Sequence, residues 1–277
     1  MSWSNAMRWR VEDIDFSGID VQRATASEDL MLLLCAASFV ESGSDLYSHT
    51  LVDFFDGDEE LCAWLRNDWE AEELQHGRSL KAYVGVVWPD FDWNASFDGF
   101  FHEYSKTCSR EQLEKTRARE LVARCVIETG TSSLYSAIGQ CSKEPVLVKL
   151  ASCIHADEVH HYKVFYQYFK KYNQTERLGR YDVLRTLLRR SLEIRNEDEE
   201  IAMRHVMAAR YPERAGDSEI SARQIGRVSE MVMRNLPVDM SVKMMIKPLG
   251  LPAGVQRGVL SAASWAARPL SRFLFSR

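Results

Sequence analysis

Two short stretches of the 277-residue chain carry a glutamate and a histidine three residues apart: Glu73 and His76 in WEAEELQHG, and Glu158 and His161 in HADEVHHYKVF. On an α-helix, residues i and i+3 share a face, so each pair can aim a carboxylate oxygen and an imidazole nitrogen at one point. Two more glutamates stand upstream on largely apolar stretches, Glu41 ahead of Glu73 by 32 residues and Glu128 ahead of Glu158 by 30. An up-and-down helix pair of that length returns the chain to its starting height, so each half can present Glu, Glu and His at one level. Four carboxylates and two imidazoles form a donor set for a pair of metal ions in a helical bundle. Carboxylate oxygens bridge and stabilise oxidised metals and imidazole suits iron, which predicts two Fe ions, with Mn as the alternative. A solvated surface pair does not account for acids among apolar neighbours, where an unpaired charge is costly.

The second stretch is crowded. Asp157 with His160 also satisfies the spacing, and His155 lies one turn away. Glu158 and His161 match the first half chemically and are preferred. Asp157 then points to an adjoining face, where it can accept a hydrogen bond from the distal nitrogen of a ligand histidine and fix its tautomer.

These side chains need long helices to carry them, and the composition favours such helices, with only 14 Gly and 7 Pro. Ser27 before acidic residues and an apolar run predicts a first helix through Phe54 and Phe55, and Gly57 and Asp58 mark the start of a second. The aromatic stretch WPDFDWNASFDGFFHEY, 88–104, reads as a long connection crossing the body. A third helix is predicted from about Ser109 to Gln140, with Ser109 and Gln112 resembling a capping box. A fourth starts at Pro145, near its first turn. Shorter helical segments follow Asn173, and no strand pattern of comparable strength appears. The expected organisation is an all-α chain: an irregular lead-in over 1–24, a helical metal-binding domain over 25–235, and a basic amphipathic tail over 236–277.

At the Glu-x-x-His segments the chain resembles the acyl-[acyl-carrier-protein] desaturases, di-iron enzymes of the ferritin-like class. WEAEELQHG is similar to that family's Trp-x-Ala-Glu-Glu-x-x-His-Gly segment through Trp69, Ala71, Glu72, Glu73, His76 and Gly77, and DEVHH to its Asp-Glu-x-x-His segment through Asp157, Glu158 and His161. The resemblance spans roughly residues 30–172. It implies a ferritin-like four-helix bundle with a long crossover and additional C-terminal helices. It also implies O2-dependent oxidation of a fatty-acyl chain, an acyl carrier protein or other acyl substrate, a ferredoxin-type electron donor and a homodimer. Thr131, three residues after Glu128, matches the family's Thr beside the dioxygen site, implicated in proton delivery. Asp157 and Trp69 are placed next to the ligands, and Ala37, Leu134 and Tyr135 are candidate walls of the acyl channel. The chain departs from the pattern at Arg78, where an acidic residue is common, and after residue 172 nothing aligns.

Two other readings share the ligands: a di-iron hydroxylase or oxygenase, and a ferritin-like iron storage or oxidation protein. Six cysteines without a Cys-x-x-Cys pair, and no leader-like stretch before them, predict a cytoplasmic setting. The run Leu30–Val40 is too short to cross a bilayer. Residues 236–277 hold six basic residues against Asp239 alone, although the whole chain carries a formal charge of −5. That asymmetry argues against nucleic acid, whose basic footprint normally sits on the folded domain. The tail's stripes of Arg257, Arg268 and Arg272 beside Val255, Val259, Ala266, Leu270 and Phe273 fit a membrane surface, an acidic partner or a helix docked on the chain's own acidic body. A second cluster, Arg177, Arg180, Arg185, Arg189, Arg190 and Arg195, is a further landing site for an acidic carrier, or a solvated helix.

Overall fold

A computed structural model describes residues 7–193, 198–214 and 218–262, and all regular structure among them is helical. The lead-in is less irregular than expected: two 3-10 turns, Val11–Asp13 and Phe16–Gly18, precede a single helical turn, α1 (Val21–Ala24). Trp9 and Ile14 within it are buried, so this segment walls the core.

α2 (Glu28–Ser42) begins as expected, the Ser27 hydroxyl accepting from the Leu30 N–H. It does not run through to Phe54 in one piece: it ends at Gly43, and α3 (Ser44–Phe54) follows at once. The stretch Glu28–Phe54 has the length and hydropathy of a membrane span, but 67% of its most apolar window is buried inside the protein. Asp58 caps α4 (Glu59–Trp64) through the Leu61 N–H. A five-residue π-helical stretch, Leu65–Trp69, then leads into α5 (Glu70–Val87).

The expected loop after Trp88 is mostly helix, α6 (Trp93–Tyr104). Asp92 accepts from the Ala95 N–H at its start, and Phe39, Trp93, Phe97 and Phe100 pack ring against ring along its inner side. Its turn-forming residues act as cap and surface, while the aromatics supply the burial that holds the helix. The third long helix also starts later than expected. Ser109 makes no side-chain cap, a 3-10 turn occupies Arg110–Gln112, and α7 (Arg117–Cys141) begins where the Thr116 hydroxyl accepts from the Arg119 N–H. A three-residue loop reverses the chain into α8 (Pro145–Glu176), with Glu144 accepting from the N–H groups of Val146 and Leu147. Arg177, in the left-handed region at φ 53°, terminates it.

Then come α9 (Arg180–Glu193), α10 (Asp198–Arg210), α11 (Ser218–Arg234) and α12 (Val238–Ile246), and residues 253–262 are again helical. α12 corrects the expected tail boundary at 236. It packs on α7, buries Met244, receives a hydrogen bond from the Tyr162 hydroxyl at the Met244 carbonyl (2.6 Å), and pairs Ser241 with Ser133. The body therefore continues to about Gly250. Arg268, Arg272, Ala266, Leu270, Phe273 and Arg195 lie outside the described residues.

α7 packs along α8, and α2 along α5. Two separate apolar clusters form in this bundle. One gathers Leu30–Phe39 of α2, Leu80–Val87 of α5, Tyr135 and Ile138 of α7 and Leu147–Ile154 of α8; the other gathers Leu51–Phe55, Leu61–Trp69, Ala118–Val126 and Tyr162–Phe169. Burying each large side chain contributes about 1.5–3 kcal/mol. Between the clusters every long helical path crosses one polar layer, and Glu41, Glu73, His76, Glu128, Glu158 and His161 all sit in it.

Candidate metal centre

Each acid reaches the layer from a different helix. Glu41 comes from the last turn of α2, Glu73 and His76 from the first two turns of α5, Glu128 from mid-α7, and Glu158 with His161 from mid-α8. All six are buried, both histidines completely. His76 Nδ1 lies 3.2 Å from Glu158, 3.6 Å from Glu41 and 3.7 Å from Glu73. His161 Nδ1 lies 3.2 Å from Glu73, 3.6 Å from Glu128 and 3.8 Å from Glu158.

The donor atoms thus fall into two groups, Glu41–Glu73–His76–Glu158 and Glu73–Glu128–Glu158–His161, each with its atoms within 4.8 Å of one another. Glu73 and Glu158 belong to both. These buried Glu/His groups could hold a metal ion.

Close packing puts Glu41 beside His76. A Cβ on Gly77 would come within 2.8 Å of the Ser42 backbone, so only glycine lets α5 approach the end of α2 this closely.

The distal ring nitrogens are held by acids from the opposite helix. Asp157 on α8 meets His76 Nε2 at 3.0 Å, and Glu72 on α5 meets His161 Nε2 at 2.7 Å. With each Nε2–H donating outward, the neutral rings would offer the Nδ1 lone pair to the cluster. Asp157 thus meets the histidine of the other half, not that of its own helix. It also accepts from Trp9 Nε1 at 2.6 Å and Arg8 Nε at 2.8 Å, and the Trp9 ring lies parallel to His76. Arg8 reaches Glu72 as well, at 3.6 Å. Trp69 sets its ring edge against His161, as Trp64 does. Thr131 Oγ1 donates to Glu158 Oε2 at 2.7 Å.

The expected channel residues divide. Ala37 and Leu134 pack in the α2-side cluster, whereas the Tyr135 hydroxyl donates a short hydrogen bond to Glu41, so it is an acid's partner and not a bare apolar wall. His160 and His155 stand outside the cluster, His155 bonding the Ser132 carbonyl at 2.7 Å. Sequence reasoning also missed Arg8, Trp9 and a buried pair one and two turns before Glu128. There Arg124 meets Glu120 at 3.0 Å under the Tyr47 ring.

Burial, reinforced by the Glu73 charge, pushes Glu41 up to about 8. Burial also drives Glu128 well above the usual carboxylate range. It opposes ionisation of Glu158 too, yet His161 and His76 hold that acid well below its ordinary value. Burial opposes charging of the imidazoles, but Asp157 and the facing glutamates raise His76, and Glu128, Glu158, Glu72 and Glu73 raise His161. Without a metal, then, protons occupy the layer.

Even so, His76 Nδ1, His161 Nδ1, Glu128 Oε2 and Glu158 Oε1 are buried with no hydrogen-bond partner. An unmet buried polar atom costs about 1–3 kcal/mol. Four at one point fit cations better than they fit a closed hydrogen-bond network.

No protein-family model matches the chain, and no curated protein matches it either. The functional reading stands on the side chains themselves.

Proposed function

We propose that this chain is a ferritin-like di-metal oxidoreductase that uses O2 to oxidise a fatty-acyl chain, most specifically an acyl-[acyl-carrier-protein] desaturase. The observation that carries the reading is the pair of donor groups sharing Glu73 and Glu158, with one imidazole and one further glutamate at each end. Glu41 and His76 would help hold one ion and Glu128 and His161 the other, with Glu73 and Glu158 available to both. When bound, the metal pair supplies redox chemistry strong enough for an unactivated C–H bond.

The rest of the work belongs to the chain. Asp157 and Glu72 keep both histidines in the tautomer that offers Nδ1. The two apolar clusters exclude water from the layer. Half-buried Thr131 holds its hydroxyl proton on Glu158 Oε2 and can pass a proton there.

Metal analysis of the purified protein tests the site, and the expected result is two iron ions per chain with near-ultraviolet absorption after oxidation. Product analysis with an acyl-carrier-protein substrate and a ferredoxin reducing system tests the chemistry. A new double bond is the expected product. Hydroxylated product alone would make the enzyme a hydroxylase, and an iron-filled 24-subunit shell without acyl turnover would make it a storage protein.

A further inference from the structure

We propose that the outward face of α9 is a docking surface for a membrane bearing anionic headgroups, a property separate from the metal centre. α9 buries Val183, Thr186 and Leu187 against the body. On its other side Tyr181, Leu184, Leu188 and Leu192 follow at intervals of three, four and four residues, one stripe of a helix. All four are exposed, Tyr181 by 76% and Leu192 by 67%. Single exposed leucines are ordinary, but a continuous row along a helix is not.

The charges beside the row choose its occupant. Arg185 is exposed next to Leu184 and Leu188, Arg177 is exposed just before the helix, and among the described residues neither makes an ion pair. Of the helix's two acids, Asp182 is turned away and paired with Arg119 at 2.6 Å, and Glu193 stands at the helix's far end, after the last leucine of the row. At the start of α9 a cleft of about 340 Å³ sets Lys170, Asn173 and Gln174 beside apolar side chains such as Phe169 and Leu178, and Arg180 at its rim bonds the Leu249 and Gly250 carbonyls.

From Tyr181 to Leu188 the surroundings are therefore cationic, which selects an anionic partner. A second copy meeting through this face would set Arg177 and Arg185 against their own equivalents. The chain's last residues, with Arg268, Arg272 and Arg277, carry the same sign. All four apolar side chains project from a single helix, so they form a narrow ridge edged with arginine and not a groove for another helix. A ridge of that kind fits the headgroup layer, where an amphipathic helix sinks its apolar face about 5–10 Å and its cations meet the lipid phosphates.

Sedimentation of the full chain with lipid vesicles tests this. The expected result is binding to mixed phosphatidylcholine–phosphatidylglycerol vesicles, weakened by salt, and little binding to phosphatidylcholine alone. Leu184→Ser with Leu188→Ser should lower partitioning by at least about tenfold. Arg177→Gln and Arg185→Gln should each lower it by about fivefold. Because all four positions are exposed, melting temperature and metal content should match the parent protein. A chain ending at residue 262 should keep the same differences. Equal pelleting of the leucine variant, or equal binding to both vesicle types, overturns the proposal. So does a solution dimer that Leu188→Ser dissolves, or loss of binding to an acidic acyl carrier protein with unchanged vesicle binding.

Discussion

The α2–α5 half of the centre and the α7–α8 half offer the same inner donors and hold them by different means. In the first, a glycine contact seats the ligand helices: Gly77 lies against Ser42. In the second, the residue after His161 is Tyr162, which reaches past the layer to bond the Met244 carbonyl, and a tight hairpin aligns the helices. Outside the histidines the contrast continues. Asp157 gathers His76, Trp9 and Arg8 within 3.0 Å, while Glu72 has His161 at 2.7 Å and Arg8 only at 3.6 Å. A repeated donor set thus does not require repeated support; each half uses whatever its neighbours provide.

The strongest break in the symmetry should come from the shared acids. Glu73→Gln or Glu158→Gln should remove both ions, whereas Glu41→Gln or Glu128→Gln should leave one, read as metal stoichiometry by elemental analysis. Equal losses from all four would refute the shared role.

Next come the outer acids. Asp157→Asn should weaken metal binding by roughly 10–100-fold, because it upsets a ligand histidine and strands two further donors. Glu72→Gln should cost less, since fewer groups depend on it. Competition with a chelator measures both, and the reverse order would mean that Arg8 and Trp9 add nothing.

Gly77→Ala probes the seating itself. Forcing a methyl against the Ser42 backbone should destabilise the protein by about 1–3 kcal/mol, a fall in melting temperature of roughly 2–5 °C. Tyr162→Phe should cost less, since it removes one hydrogen bond and leaves the helix spacing alone.

The smallest signal is in protons. Glu41, raised to about 8 from an ordinary 4.5, stabilises the metal-free fold below about pH 4.5, and that contribution is lost as pH rises through 8. Metal must displace this proton and those on the raised histidines, so affinity should climb with pH toward 8. Calorimetry in buffers of different ionisation enthalpy should show net proton release on loading; uptake would contradict the assignment.

Much of this was legible in the sequence because the chemistry obeys helical spacing. Glu73 with His76, Glu158 with His161, and the start of α8 at Pro145 are all local patterns. What stayed hidden depends on contacts distant in the chain. Trp9 meets Asp157 across 148 positions, so nothing near Trp9 announces its role. Glu72 was visible as part of a motif, but not as the partner of a histidine on another helix. α6 was misread because its Asn, Asp and Gly suit turns, and only burial of its aromatics decides for helix. The start of α7 shifted because Thr116 offers a cap that Ser109 does not make.

Arg8 and Trp9 leave the ribosome long before α8 exists, and the carboxylate that anchors them is made almost 150 residues later. α5 alone can hold the segment by its backbone, through Gln75 Nε2 on the Trp9 carbonyl at 3.1 Å, but its side chains wait for Asp157. Until then His76 lacks the acid that holds its distal nitrogen, and the Trp9 indole beside it lacks the same partner.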